Sequence, residues 1–171
     1  MKIAFFDRDG TIIEDYPDEK WSFITQPEFI PGAIETLQQV MQKGYKIIII
    51  TNQYLINEGY ISLQQYEEIN KKMMEELTRH NVEILDVFYC PHSRQEGCDC
   101  CKPQTGLIQQ AIEKYPAINL NESFIIGDSI VDMELAIRMN IVGYGINVEV
   151  PDEGKDVYKI GKVIEVLEYI D

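Results

Sequence analysis

Short runs of consecutive apolar residues alternate along this chain with longer segments in which apolar residues recur every three or four positions. The short runs predict buried strands, and the longer periodic segments predict amphipathic helices. The predicted strands cover residues 3–6, 47–50, 84–89, 123–126 and 141–146. Helices are predicted to begin at Pro31 and Ser62, to cover residues 107–115 and 130–137, and to close the chain over residues 160–170.

This alternation predicts an α/β fold, a three-layer, Rossmann-like parallel sheet with helices on both faces. The chain contains no linker, repeat or low-complexity stretch, so we expect a single domain over residues 1–171. Residues 14–30 are irregular and interrupted by prolines, which is typical of a loop or flap. The stretch from Thr11 to Ile50 already holds a predicted helix and strand, so it leaves no room for a large cap domain.

Composition and charge narrow the choice of partners. The chain has 171 residues, 45% of them hydrophobic, and a formal net charge of −14. An acidic surface repels polyanions, so we expect no nucleic acid and no membrane partner. The chain has no apolar run near the ~20 residues that a membrane helix needs, and its N-terminus does not read as an export signal. We therefore expect a cytoplasmic protein with reduced cysteines. We also expect a monomer.

Polar side chains follow several of the predicted strands. Asp7 and Asp9 come after the first strand, Thr51 and Asn52 after the second, and Asp128 after the fourth. Ligands of open parallel sheets bind outside the carboxyl ends of the strands, where neighbouring strands would bring these residues together. Converging carboxylates cannot all ionise unaided, and Mg²⁺ is the usual partner of oxygen ligands and a phosphate. The alternative is that each aspartate only ends a strand or caps a turn.

All four cysteines lie close together, directly after the third predicted strand. Cys90, His92, Cys98 and Cys100 offer three thiolates and one imidazole, which is the ligand set of a closed, structural Zn²⁺ site. We expect such a site to order a zinc loop over residues 90–101. The alternatives are a disulfide pair, incidental buried cysteines, or Cys101 in place of Cys100 as the fourth ligand.

Four ordered motifs carry a family resemblance. They are Asp-Arg-Asp-Gly-Thr at 7–11, Thr51, Lys-Pro at 102–103 and Gly-Asp-Ser-Ile-Val-Asp at 127–132. On these residues the chain resembles the haloacid dehalogenase superfamily of phosphatases. Its Cys/His cluster is similar to that of the zinc-containing branch with the heptose 1,7-bisphosphate and histidinol-phosphate phosphatases.

The resemblance implies a Mg²⁺-dependent phosphomonoesterase that acts through an aspartyl-phosphate. Asp7 would be the nucleophile, and Asp9 would protonate the leaving oxygen and then activate water. Mg²⁺ would bind Asp7, the Asp9 carbonyl and Asp128, with Asp132 supporting the metal shell from behind.

Further residues would hold the substrate, a small-molecule phosphate monoester such as a sugar phosphate. Thr51 and Lys102 would stabilise the phosphoryl group, and Lys102 would supply positive charge. The resemblance also assigns Asn52, Gln53 and Cys101 to substrate binding. The aromatic residues of the flap, Tyr16, Trp21 and Phe23, either contact the substrate or pack the flap down.

The chain departs from the bisphosphate phosphatases at three cationic positions. Cys101 stands where they usually carry Arg before the motif Lys, and Ser129 stands where they usually carry Lys. The stretch 54–59, which includes Glu58, replaces one that usually holds an Arg. Because an Arg fork is the usual device for a second phosphate, we predict a monophosphate substrate.

Three other functions stay open from the sequence. They are heptose 1,7-bisphosphate or histidinol-phosphate phosphatase proper, a polynucleotide 3′-phosphatase, and a non-catalytic phosphate-binding module.

Overall fold

A single parallel sheet forms the centre of the molecule. The computed structural model describes residues 1–150 and 156–171, and in this part of the chain the sheet has six strands in the order β3-β2-β1-β4-β5-β6. The strands are β1 (Ile3–Phe6), β2 (Lys46–Asn52), β3 (Ile84–Cys90), β4 (Phe124–Gly127), β5 (Val142–Ile146) and β6 (Val157–Ile160).

Helices cover both faces of this sheet. They are α1 (Ala33–Gln42), α2 (Tyr54–Asn57), α3 (Leu63–Arg79), α4 (Gly106–Lys114) and α5 (Ile130–Met139), with 3₁₀ helices at Asp18–Phe23, Leu120–Glu122 and Val163–Glu168. Successive residues of a strand point to opposite faces. Accordingly, Ala4 and Phe6 pack in the core on the side of α1 and α3, whereas Ile3 and Phe5 pack on the side of α4 and α5. Burial on both faces explains why the strands are continuously apolar.

The predicted fold class is confirmed, and within the described residues there is no large cap domain. No helix in that same part of the chain is both long and apolar enough to cross a membrane.

The prediction for the end of the chain was wrong. Ile160 is the last residue of β6 rather than the first of a helix, and only a 3₁₀ helix, Val163–Glu168, follows it. β6 is a short edge strand whose middle residues, Tyr158 and Lys159, are exposed. It therefore lacks the apolar run by which the other strands were recognised.

The order of the strands in the sheet shows where a ligand would bind. From β1 the chain builds outward through β2 and β3, and it then returns to the other side of β1 to build β4, β5 and β6. The carboxyl ends of β2, β1 and β4 therefore lie side by side at a topological switch point, where open α/β sheets bind ligands. A hydrogen bond from Asp7 N to Ile126 O, 2.9 Å long, joins the ends of β1 and β4.

Candidate active site

Three carboxylates converge at this switch point. Asp7 follows β1, Asp128 follows β4 and Asp132 lies in the first turn of α5, and one oxygen of each lies within 4.8 Å of the others. Gly10 makes this approach possible: it adopts φ +87°, and a Cβ there would lie 1.9 Å from Asp128 Oδ2. A side chain at position 10 would displace Asp128 from the cluster.

Lys102 supplies the central positive charge of the cluster. Its side chain is buried, and its Nζ donates to Asp7 Oδ1 at 2.7 Å, to Asp132 Oδ1 at 2.7 Å and to the Ile50 carbonyl at 3.0 Å. Asp132 Oδ2 also accepts a hydrogen bond from Ser129 N, 3.3 Å long, which closes a capping box at the start of α5. Each oxygen of Asp132 therefore accepts a hydrogen bond from the protein itself, one from Lys102 and one from Ser129.

The electrostatics of the cluster favour a bound cation. Burial raises the pKa of Asp7 well above its usual range; Lys102 opposes this, and the charges of Asp132 and Asp128 add to it. Burial, together with the charges of Asp132 and Asp15, raises the pKa of Asp128 to about 6. Hard oxygen ligands that resist ionising together fit Mg²⁺, which stabilises their charged forms.

Asp9 is held by two neighbours. Arg8 donates from Nε to Asp9 Oδ1 at 2.8 Å and from Nη2 to Oδ2 at 3.2 Å, and Gln53 Nε2 donates to Oδ2 at 2.8 Å. The Arg8 guanidinium is buried against the ring of Tyr66, 5.0 Å from its centroid. The family resemblance assigns Gln53 to substrate binding and gives Arg8 no role, whereas in the structure both side chains donate to Asp9.

The end of β2 supports the Lys102 backbone. Asn52 Oδ1 accepts a hydrogen bond from Lys102 N at 2.8 Å, and Asn52 Nδ2 donates to the Lys102 carbonyl at 3.1 Å. Thr51 is buried, and its Oγ1 accepts from Gln53 Nε2 at 2.9 Å. Thr51 and Asn52 also line the cleft above the carboxylates.

A cleft of about 310 Å³ opens over these groups. From the flap, Trp21 lines it and donates from Nε1 to Asp15 Oδ1 at 3.1 Å, and Tyr16 packs edge-on against Trp21. Phe23 is 81% exposed. The lining residues are Asp7, Asp9, Asp15, Trp21, Thr51, Asn52, Tyr54, Leu55, Arg94, Cys101, Lys102, Asp128, Ser129, Val131 and Asp132.

Two charged residues that line the cleft were not predicted from the sequence. Asp15 and Arg94 belong to no recognised motif, and each lies in an irregular segment. Only the fold brings these segments to the same cleft.

The Cys/His cluster forms beside the cleft. Ligand atoms of Cys90, His92, Cys98 and Cys100 all lie within 4.8 Å of one another, with His92 Nδ1 3.1 Å from Cys100 Sγ and Cys98 Sγ 3.6 Å from Cys90 Sγ. Three sulfurs and one imidazole nitrogen at such spacings fit tetrahedral Zn²⁺. The four cysteines are free thiols, and Cys101 lies on the cleft wall instead of in the cluster.

Comparison with known proteins gives matches over most of the chain. Residues 2–140 match the family described as polynucleotide kinase 3 phosphatase. The chain is 37% identical over 145 residues to the probable D-glycero-D-manno-heptose-1,7-bisphosphate 7-phosphatase of Thermoplasma volcanium, covering 82% of this chain and 95% of that protein. It is 34% identical over 144 residues to the histidine biosynthesis bifunctional protein HisB of Campylobacter jejuni, covering 84% of this chain but 41% of that protein.

A solved structure shares the fold. The D,D-heptose 1,7-bisphosphate phosphatase of B. bronchiseptica, complexed with magnesium and phosphate, superposes with a TM-score of 0.85 at 21% sequence identity. The superposition covers 99% of this chain and 97% of that one.

Proposed function

Because the chain belongs to the polynucleotide kinase 3 phosphatase family of the haloacid dehalogenase superfamily, and is a phosphoric monoester hydrolase, we propose that it is a Mg²⁺-dependent phosphatase of a small sugar monophosphate. The observation that carries this proposal is the buried ion pair between Lys102 and Asp7 at the end of β1, beside Asp128 and Asp132. A carboxylate held in this way is positioned to attack phosphorus.

The reaction proceeds in two displacements. In the first, Asp7 attacks the phosphorus, the bond from phosphorus to the ester oxygen breaks, and Asp9 donates a proton to the departing oxygen. In the second, Asp9 takes a proton from water, the resulting hydroxide attacks the aspartyl-phosphate, and inorganic phosphate leaves with Asp7 restored. Arg8 and Gln53 fix the orientation of the Asp9 carboxyl group, which lines the same cleft as Asp7.

Mg²⁺ would be held by Asp7, the backbone carbonyl of Asp9 and Asp128, and it would supply positive charge to the phosphoryl oxygens. Lys102 adds a second positive charge, and Asp132 keeps that ammonium in place. Thr51 and Asn52 line the same cleft, where the Thr51 hydroxyl and the Asn52 amide would bind phosphoryl oxygens. Cys101 is a neutral part of the wall that the substrate contacts.

A small substrate with one phosphate agrees best with the cleft and the charge. Lys102 is committed to Asp7 and Asp132. Two positions where the bisphosphate phosphatases usually carry a cation are here the neutral residues Cys101 and Ser129, and both line the cleft. The relatives named above as heptose and histidine biosynthesis proteins support a small phosphorylated metabolite. A net charge of −14 disfavours a polynucleotide, although the family description names one.

Phosphate release from a panel of esters tests this proposal. With Mg²⁺ we expect turnover of sugar and polyol monophosphates, a kcat/KM for heptose 1,7-bisphosphate that is no higher, and loss of activity in EDTA. A 3′-phosphorylated oligonucleotide should release no phosphate. The substrate assignment fails if the bisphosphate or the oligonucleotide is clearly preferred, and the enzyme proposal fails if no monoester is hydrolysed.

We also propose that the Cys/His cluster binds one structural Zn²⁺. Cys98→Ser should lower the bound zinc from about one per chain to near zero, because the closed site needs all four ligands, and the loop should lose its order. Metal analysis of the purified protein measures this change. Cys101→Ser is the matched control and should keep its zinc; zinc loss in this control, or retention in Cys98→Ser, contradicts the assignment.

A further inference from the structure

One guanidinium joins three separate segments at the mouth of the cleft. Arg94, from the zinc loop, donates from Nε to Glu58 Oε1 at 3.2 Å and from Nη2 to Glu58 Oε2 at 2.9 Å. The same Nη2 lies 3.3 Å from Oδ2 of Asp18 in the flap. The Arg94 Cζ stacks 4.0 Å from the centroid of the Tyr54 ring, and the Tyr54 hydroxyl donates to Asp18 Oδ1 at 2.9 Å.

The charges around Arg94 do not favour the binding of a second anion at the mouth of the cleft. Arg94 and Lys102 are the cationic side chains among the described residues that line the cleft. Lys102 is occupied by Asp7 and Asp132, and Arg94 by Glu58 and Asp18, so each cation already faces two carboxylates. An incoming phosphate could bind Arg94 only by competing with a carboxylate that already binds it through two hydrogen bonds.

Of the two carboxylates that bind Arg94, Glu58 is the one with which a phosphate would mainly compete. Its two carboxylate oxygens accept hydrogen bonds from Nε and Nη2 of Arg94. Asp18, by contrast, accepts from only one nitrogen of Arg94, and it also accepts a hydrogen bond from the Tyr54 hydroxyl. Arg94 is 52% exposed and Glu58 17%, so the pair stands in partly solvated surroundings where one charge still changes the local potential.

We propose that Glu58 is a specificity-determining residue: by occupying Arg94 it excludes a second phosphate, so that the cleft takes esters whose distal part is uncharged. This inference rests on the proposed function and deepens it. Without the Glu58 charge, Arg94 would be free to bind a distal phosphate, because Arg94 already lines the cleft.

Inhibition of p-nitrophenyl phosphate hydrolysis by fructose 6-phosphate and fructose 1,6-bisphosphate tests the proposal. In the unmodified protein we expect the bisphosphate to bind no more tightly than the monophosphate. Glu58→Gln keeps the shape and an acceptor oxygen but removes the charge, so it should lower the inhibition constant of the bisphosphate by roughly tenfold. The constant for the monophosphate should change by less than about twofold, since it has no distal charge.

Two further variants show whether the gain depends on Arg94. In the double variant Glu58→Gln with Arg94→Gln the gain should disappear. Glu19→Gln removes the same charge from the exposed flap residue Glu19, which is not among the described partners of Arg94, and should leave the selectivity unchanged. A gain that persists in the double variant, an equal gain in Glu19→Gln, or no gain in Glu58→Gln overturns the proposal.

Failure of the proposed function gives a different result. If the unmodified protein hydrolyses no phosphate ester, that function is wrong, whatever the binding selectivity. Calorimetric titration with the same two sugar phosphates, in an Asp7→Asn background that prevents turnover, measures the binding ratio independently. The Glu58 proposal then stands or falls on that ratio alone.

Discussion

Replacing Asp7 by Asn is expected to lower kcat for p-nitrophenyl phosphate by roughly 10⁴-fold or more, the order of loss seen when a nucleophile is removed from an enzyme. The amide cannot form the aspartyl-phosphate, so the two-step route closes. Asn keeps the shape of the side chain, and Lys102 retains its ion pair with Asp132. The variant should therefore stay folded, and initial rates with Mg²⁺ beside a thermal unfolding curve measure both properties.

A matched control separates the nucleophile from a general loss of negative charge. Asp156→Asn makes the same chemical change at an exposed position beside β6, far along the sheet from β1, and should leave kcat unchanged. Activity of Asp7→Asn within about tenfold of the unmodified protein would rule out Asp7 as the nucleophile. Water would then have to attack the phosphate directly.

Replacing Lys102 by Met is expected to lower both activity and stability. The ammonium is the counter-charge of two buried carboxylates, and removing one partner of a buried ion pair typically costs about 3–5 kcal/mol in the free energy of unfolding. The loss of charge beside the phosphoryl group should lower kcat by roughly 10²- to 10³-fold. Denaturant unfolding at pH 8 without Mg²⁺ measures the first effect, and initial rates measure the second.

The pH dependence of this loss identifies its cause. Burial already holds the pKa of Asp7 above its usual range, and removing Lys102 takes away the main influence that lowers it. A raised pKa means that the folded state binds a proton more readily than the unfolded state, so acid stabilises the variant relative to neutral pH. The stability difference between Lys102→Met and the unmodified protein should therefore shrink as the pH falls through the raised pKa of Asp7.

Lys114→Met is the matched control, because it removes the lysine of an ion pair that is equally short but exposed. Lys114 lies 2.6 Å from Asp86, as short as the contacts of Lys102, but its side chain is 59% exposed. Its replacement should change stability little at any pH, because solvent screens exposed pairs. An equal effect of the two variants would mean that burial of Lys102 is not the cause.

The sequence predicted the sheet and most of the central site because the signals are local. Each strand near the centre is a short apolar run, since both of its faces are buried, and the polar residues that follow it mark its carboxyl end. Asp7 and Asp128 were placed together on this ground, and the structure brings them within reach of one metal ion. Asp132 lies four residues after Asp128, in the first turn of α5. The Cys/His cluster was predictable for a similar reason, because its ligands lie within eleven residues of one another.

Predictions were weaker where a residue's environment depends on distant segments. β6 was read as the start of a helix because an edge strand exposes its middle residues and loses the apolar run. Gln53 was assigned to the substrate, yet its amide donates to Asp9, 44 residues earlier in the chain. The choice between Cys100 and Cys101 stayed open, since adjacent residues offer the same chemistry and only the loop conformation separates them.

The sequence by itself therefore determined the fold class, the order of the motifs and the types of metal ligand, since hydrophobic periodicity and ligand chemistry are properties of neighbouring residues. The tertiary structure alone decided how the charges pair. It showed that Lys102 is shared by Asp7 and Asp132, and that Arg94 reaches Glu58 and Asp18 across the mouth of the cleft. Coulombic interaction depends on distance and burial in space, and separation along the chain specifies neither.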